Sequence, residues 1–126
     1  MPEHVHLIVW PHAQDYDISQ IRGAIKEPVG RQAIRFLEEL SSGWLSRVTR
    51  KRGKKIERSF WQSGGGYDRN IDSAAVLQAA IEYIHLNPVR RGLVKFCEDW
   101  RWSSAAYFAG GVSPLEPDKI PAEWLE

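Results

Sequence analysis

The sequence predicts one α+β domain: an apolar strand opens the chain, helical stripes follow, and a basic hairpin lies between the helices. The chain has 126 residues, of which 43% are hydrophobic, and this length suits a single core. No apolar run approaches membrane-spanning length, so no membrane partner is expected. The single cysteine, Cys97, excludes an internal disulfide framework and a cysteine-based zinc site.

The strand is predicted over residues 1–10, where Val, Leu, Ile and Trp precede Pro11. Side chains alternate along a strand, so His4 and His6 should project from one face. The opposite apolar face should be available for burial. Neutral imidazole nitrogens bind divalent ions, so the pair could supply half of a metal site. Alternatively, these are two half-exposed strand histidines, because two ligands do not complete a site.

Three helices are predicted downstream. Asp17 caps a short helix that ends near Lys26, and Pro28 opens a second helix that ends at Leu40. Asp72 or Ser73 caps a third helix, which closes at Asn87 because the next residue is proline. Their apolar stripes are expected to form the core.

Tyr83 and Asn87 lie four residues apart in the third predicted helix and therefore share one helix face. A phenol and an amide one turn apart could serve as a nucleophile and a metal ligand. Ordinary helix packing explains the same spacing, and the spacing alone does not separate the two.

The positive charge is concentrated in one segment of a nearly neutral chain. Residues 47–95 contain eleven basic and four acidic residues, a formal charge of +7, whereas the whole chain carries +1. Such asymmetry indicates a polyanionic partner, most simply a nucleic acid. The basic residues at the predicted hairpin are Lys51, Arg52, Lys54 and Lys55. A solvated hairpin tip is the alternative for these four.

Three successive glycines, residues 64–66, follow Trp61 and precede Arg69. No Lys-Ser or Lys-Thr pair follows them, so this is not a nucleotide P-loop. A glycine turn beside aromatic and arginine side chains could hold a nucleic-acid backbone. A simple linker between strand and helix is the other interpretation.

Four stretches in this order resemble the REP-associated tyrosine transposases, relatives of the single-tyrosine HUH transposases of insertion sequences. They are Met-Pro-Glu-His-Val-His-Leu-Ile-Val at residue 1, Phe-Trp-Gln-Ser-Gly-Gly-Gly-Tyr-Asp-Arg-Asn-Ile at residue 60, Tyr-Ile-His-Leu-Asn-Pro-Val-Arg-Arg-Gly-Leu-Val at residue 83, and Trp-Arg-Trp-Ser-Ser at residue 100. The resemblance spans residues 1 to about 107. It implies a ferredoxin-like antiparallel sheet with helices on one face.

The resemblance also implies residue roles. His4, His6 and Asn87 would bind Mg²⁺ or Mn²⁺, and Tyr83 would attack a phosphate of single-stranded or hairpin DNA. The products would be a 5′-phosphotyrosine and a free 3′-OH, which preserves the bond energy for rejoining. Arg90 and Arg91 follow the family pattern and are assigned to DNA contact.

In the resembling family a strand, a helix and another strand precede the histidine strand, whereas here His4 is the fourth residue. We therefore expect an incomplete sheet with an unpaired edge, and pairing with a second copy as a homodimer. Residues 1–109 would form the transposase-like domain, and residues 110–126 an irregular, acidic, proline-rich tail. No signal peptide is apparent, so the expected location is cytoplasmic.

Two other functions are compatible with these residues. A catalytically inactive, domesticated DNA-binding remnant would retain the basic segment and the aromatic side chains. A histidine-triad nucleotide hydrolase would share His-Val-His-Leu, but Ile8 occupies the position where that family needs its third histidine.

Overall fold

The computed structural model describes all 126 residues and has an α+β architecture, with three α-helices and one two-stranded antiparallel sheet. The chain divides into two compact units. The first unit comprises residues 1–10 and 69–126, and the second comprises residues 11–68. The α+β class predicted from the sequence is therefore confirmed.

The second unit contains helix α1, Ile18–Glu39. Asp17 is its N-cap, as predicted, and its carboxylate accepts a hydrogen bond of 2.7 Å from the Ser19 N–H. The predicted boundary at Lys26–Pro28 is wrong, because α1 runs through Pro28 without a break. Proline removes one backbone hydrogen bond inside a helix, and the intact turns on both sides outweigh that loss here.

The apolar stripe of α1 does not form the predicted core. No residue of α1 is buried, and Phe36 and Val29 remain 60% and 45% exposed. Helical spacing does place apolar residues on a common face, but burial requires another element against that face.

Strands β1, Thr49–Arg52, and β2, Lys55–Arg58, form the antiparallel hairpin expected for this segment. Thr49 pairs with Arg58 and Arg52 pairs with Lys55, which leaves Gly53 and Lys54 as a two-residue turn. Gly53 has a φ of 61°, a conformation that glycine adopts without a steric penalty. Most side chains of the hairpin are exposed.

The first unit is built around helix α2, Ala74–Arg90, and the short helix α3, Ala105–Phe108. Ser73 caps α2 by accepting from the Val76 N–H at 3.3 Å. The predicted end at Asn87 is wrong, because α2 includes Pro88 and ends at Arg90. The proline lies in the last turn, where a single backbone bond is lost. Leu77, Pro88 and Ala105 are the buried apolar residues.

The strand predicted over residues 1–10 does not form, because the only sheet consists of β1 and β2. A strand requires a hydrogen-bonded partner strand, and this segment has none. Its predicted faces are also reversed: His4 and His6 are half-buried, whereas Val5 and Leu7 are 58% and 57% exposed.

Residues 110–126 belong to the same compact unit as α2. A single 3₁₀ turn, Ala122–Trp124, brings the Trp124 ring to 4.4 Å from the Trp10 ring, measured between centroids. None of the three helices has the length and apolar character needed to cross a lipid bilayer.

Candidate metal and nucleophile site

The first unit brings His4, His6 and Asn87 together. The Nε2 atoms of His4 and His6 lie 3.0 Å apart, and Nδ2 of Asn87 lies 3.1 Å from Nε2 of His6. The two histidines come from the N-terminal segment, and Asn87 comes from the last turn of α2. Residues from the first and the third of the four motifs therefore meet at the Nε2 atom of His6.

The separation of the two histidine nitrogens fits the ligation of one divalent cation. Two ligands about 2.1 Å from one ion, at a right angle to each other, are separated by about 3.0 Å. A neutral imidazole Nε2 offers either one N–H or one lone pair, yet Nε2 of His6 has two nitrogen neighbours. Rotation of the Asn87 amide would present its oxygen instead, and a cation among the three side chains would satisfy every lone pair.

These three side chains include one amide, so the site is not a cluster of three ionisable or thiol ligands. No group of three or more His, Cys, Asp or Glu side chains has the geometry to hold a metal ion. A site here would thus be completed by the amide and by water, which is typical of ions such as Mg²⁺ that bind few protein ligands.

Burial favours the ligand form of His6. Loss of solvent around the ring, with a smaller contribution from the neighbouring His4, lowers the pKa of His6 below its ordinary value. A lowered pKa keeps the imidazole neutral at physiological pH, and only the neutral form has a lone pair for a metal.

Tyr83 lies one helical turn before Asn87 on the same side of α2. Its ring contacts the His6 ring edge-on, with 5.4 Å between the centroids. The Arg90 guanidinium carbon lies 5.8 Å from the centroid of the Tyr83 ring. Tyr83 is 49% exposed, so a bulky substrate can reach it. The Tyr83 ring thus lies beside His6, a candidate ligand, and beside the Arg90 guanidinium.

Sequence reasoning did not identify Glu3 as part of this site. Its Oε1 atom lies 2.6 Å from Nη2 of Arg91 and 3.7 Å from Nδ1 of His4. The hydrogen bond from Arg91 is the main cause that lowers the pKa of Glu3. Arg91, which was assigned to DNA, therefore already has a carboxylate partner. The only signal in the sequence was the position of Glu3 next to a candidate ligand.

The residues assigned to DNA contact occupy several locations. Lys51, Arg52, Lys54 and Lys55 are exposed on the hairpin, where Arg52 lies 3.8 Å from Glu57. Arg69 and Arg90 are exposed in the first unit. The predicted role of each in DNA contact stays a prediction.

Trp61, another assigned DNA contact, packs against helix α1. Its indole N–H donates to the Lys26 carbonyl at 2.7 Å. A β-carbon added at Gly30 would lie 3.3 Å from the indole ring, so the glycine permits this close approach. One edge of the ring is thus committed to the protein, and only the rest of its surface can stack on a base.

The triglycine turn contains two residues with positive φ, Gly64 at 113° and Gly66 at 79°. Arg22 of α1 lies against Gly65, where an added β-carbon would be 3.3 Å from Nη2. Arg22 also contacts Asp68 at 3.6 Å. Arg22, which belongs to the same unit, therefore lies against the triglycine turn.

Comparisons of this chain with protein-family models, with curated proteins and with solved structures found no match.

Proposed function

We propose that this protein cleaves and rejoins single-stranded DNA in a transposase-type strand transfer, with Tyr83 as the nucleophile and a divalent metal held by His4, His6 and Asn87. The observation that carries the proposal is the juxtaposition of Tyr83 with His6, 5.4 Å between ring centroids, beside Asn87, 3.1 Å from His6. The order of motifs that resembles the tyrosine transposases supports the same roles.

The covalent step would proceed at the phenol oxygen of Tyr83. This oxygen attacks the phosphorus of a phosphodiester and the bond to the 3′ oxygen breaks; the phenol loses its proton, and the 3′ oxygen takes up a proton to become the free 3′-OH. The 3′-OH of another strand then attacks the phosphotyrosine, the bond between phosphorus and the Tyr83 oxygen breaks, the attacking hydroxyl loses its proton, and the phenol regains one. The number of phosphodiester bonds is unchanged, so no external energy source is needed.

The protein would contribute mainly position and charge. A phenol has a pKa of about 10 and is a weak nucleophile near neutral pH. Mg²⁺ or Mn²⁺, when bound, would polarise the phosphate and so make it susceptible to attack. A helix turn presents Tyr83 and Asn87 with a fixed separation, which favours the in-line geometry that phosphoryl transfer requires. Arg90 would neutralise part of the phosphate charge.

DNA would be held by the basic hairpin and by Arg69 and Arg90. Exposed lysines and arginines at a hairpin tip can follow a phosphate backbone without reading its sequence. We further infer that residues 4–10 act as a strand of a ferredoxin-like sheet when a partner strand pairs with them.

The decisive experiment measures covalent attachment of the protein to a labelled single-stranded DNA in the presence of Mn²⁺. The Tyr83→Phe variant should lose the adduct completely, because it lacks the attacking oxygen. Packing should barely change, since the phenol is half-exposed. Tyr67→Phe is the matched control, because Tyr67 lies in a motif of the same resemblance and is 90% exposed.

An adduct that persists in Tyr83→Phe would refute the assignment of the nucleophile. If the unmodified chain binds the DNA but forms no adduct, the DNA-binding remnant is the better description. The exposed basic hairpin would serve that function equally well.

A further inference from the structure

The segment that carries both candidate histidine ligands has no backbone ladder to hold it. Three side-chain contacts join it to the rest of the first unit. His6 meets Asn87 at 3.1 Å, Glu3 meets Arg91 at 2.6 Å, and Trp10 meets Trp124 at 4.4 Å between ring centroids. Of these, the contact between Glu3 and Arg91 lies nearest to His4 in the sequence and joins two opposite charges.

Arg91 is well placed to fix this segment relative to the rest of the site. It is the C-cap residue of α2, and its backbone N–H donates to the Asn87 carbonyl at 3.1 Å. Arg91 thus contacts the backbone of Asn87, one candidate ligand. It also contacts the side chain of Glu3, the residue that precedes His4, another candidate ligand. Its side chain joins the end of α2 to the start of the chain.

Glu3 extends this connection to His4. The same oxygen, Oε1, that accepts from Arg91 also lies 3.7 Å from Nδ1 of His4. This separation is too long for a hydrogen bond but short enough for charge attraction. A carboxylate beside Nδ1 favours the imidazole tautomer with its proton on that nitrogen. Nε2 then keeps its lone pair and faces His6 at 3.0 Å.

We propose that Glu3 and Arg91 form a positioning pair that holds His4 and its neighbour His6 in place for metal binding. This inference rests on the proposed function, because it concerns the same metal. The pair would act through the histidines, as positioning residues and not as metal ligands. Carboxylates that orient a ligating histidine are a general feature of metal sites, and their loss typically weakens metal affinity by about 10- to 100-fold.

The alternative is an ion pair with no effect on the site, since both side chains are about half exposed, 49% and 51%. Exposed pairs contribute little to folding stability. Such pairs can have a larger effect on the affinity for a ligand, where they order a segment that would otherwise lose conformational freedom on binding. Metal affinity and folding stability therefore separate the two interpretations.

The test is a titration of the full chain with Mn²⁺, in which the electron paramagnetic resonance signal measures the free ion. Glu3→Gln and Arg91→Gln should each weaken Mn²⁺ binding about tenfold, at the lower end of the range for such partners. The double variant should be no weaker than either single variant, because each change already breaks the same contact. Arg91→Lys keeps the charge and should retain most of the affinity.

Arg101→Gln is the matched control, because it removes one exposed arginine from the same unit, whose guanidinium lies over the Trp102 ring. Circular dichroism without metal should show the same melting temperature in all variants. Unchanged Mn²⁺ affinity in Glu3→Gln would overturn the proposal, as would losses that multiply in the double variant. If the unmodified chain binds no Mn²⁺, the proposed function itself fails.

Discussion

At the scale of single residues, His6 connects the members of the candidate site. It meets His4, Asn87 and Tyr83 through one half-buried ring. His6→Ala should therefore abolish Mn²⁺ binding and any metal-dependent cleavage of DNA, because the variant lacks one ligand and the link to Asn87.

His12→Ala is the comparison for this change, since His12 is exposed and belongs to the second unit. Circular dichroism should show that both variants retain their helices. Loss of folding in His6→Ala alone would instead identify a structural histidine.

His85 should make the stability of the protein depend on pH. Its Nε2 lies 3.0 Å from the Ser104 hydroxyl and its ring 5.3 Å from the Phe108 centroid. Burial lowers the pKa of His85, and the charge of Glu98 opposes this only in part. The pKa of His6 is lowered as well. The unfolded chain then binds more protons than the folded chain as the pH falls below about 6.5.

Thermal unfolding at pH 7.5 and 5.5 should show this dependence, with the lower melting temperature at pH 5.5. His85→Gln cannot take up that proton and should have a smaller difference between the two melting temperatures. Free carboxyl side chains titrate near pH 4, below this interval, so histidine protonation dominates the difference. Equal melting temperatures at the two pH values in the unmodified chain would contradict the prediction.

At the scale of elements, local chemistry was predicted well. Asp17 and Ser73 act as helix caps, as predicted, and the hairpin turns at Gly53, because each effect depends on a few neighbouring residues. The predictions at Pro28 and Pro88 were wrong, because the rule that proline removes one backbone hydrogen bond does not account for the helical turns on either side. The strand at residues 4–10 was misjudged because pairing depends on a partner that periodicity does not reveal.

The difference between local effects and contacts between distant residues also explains which site residues could be predicted from the sequence. The spacing of His4 with His6, and of Tyr83 with Asn87, follows from the period of a single element. The contact between Glu3 and Arg91 joins the first and the third of the four motifs, and no spacing rule reports it. Likewise, the hydrogen bond from the Trp61 indole to the Lys26 carbonyl depends on how the two segments pack together.

The hairpin provides a prediction at this scale. Binding to single-stranded DNA should weaken steeply with salt, because each phosphate contact releases condensed counterions. Changing Lys51, Arg52, Lys54 and Lys55 to Gln should reduce the slope of log affinity against log salt by about 0.7 for each phosphate that is no longer neutralised. Filter binding between low and moderate salt measures the slope.

Helix α1 offers a matched control for the hairpin. Arg31→Gln combined with Arg35→Gln removes exposed positive charges from the same unit and should leave the slope nearly unchanged. Equal slopes for the hairpin variant and the unmodified chain would show that these lysines and arginines are only solvated.

At the scale of the whole molecule, the notable property is how much apolar side chain stays in contact with water. The buried apolar residues are Leu77, Pro88 and Ala105, and no large side chain is fully buried. Val5, Leu7 and Phe36 are each more than half exposed. Exposed apolar patches of this kind mark surfaces that another chain covers, or they lead to aggregation. The N-terminal segment combines such side chains with an extended stretch that belongs to no sheet, so a partner strand could pair with it.

We therefore expect self-association through residues 4–10. Sedimentation velocity over a range of concentrations should show reversible association of the unmodified chain. Leu7→Lys should weaken this association at least tenfold, because a charge on an unpaired strand edge opposes pairing with another strand. Phe36→Lys places the same charge on the exposed face of α1 and should have a smaller effect if the N-terminal segment is the contact. A chain that sediments as a monomer at every concentration, or an equal effect of the two substitutions, would contradict pairing through this segment.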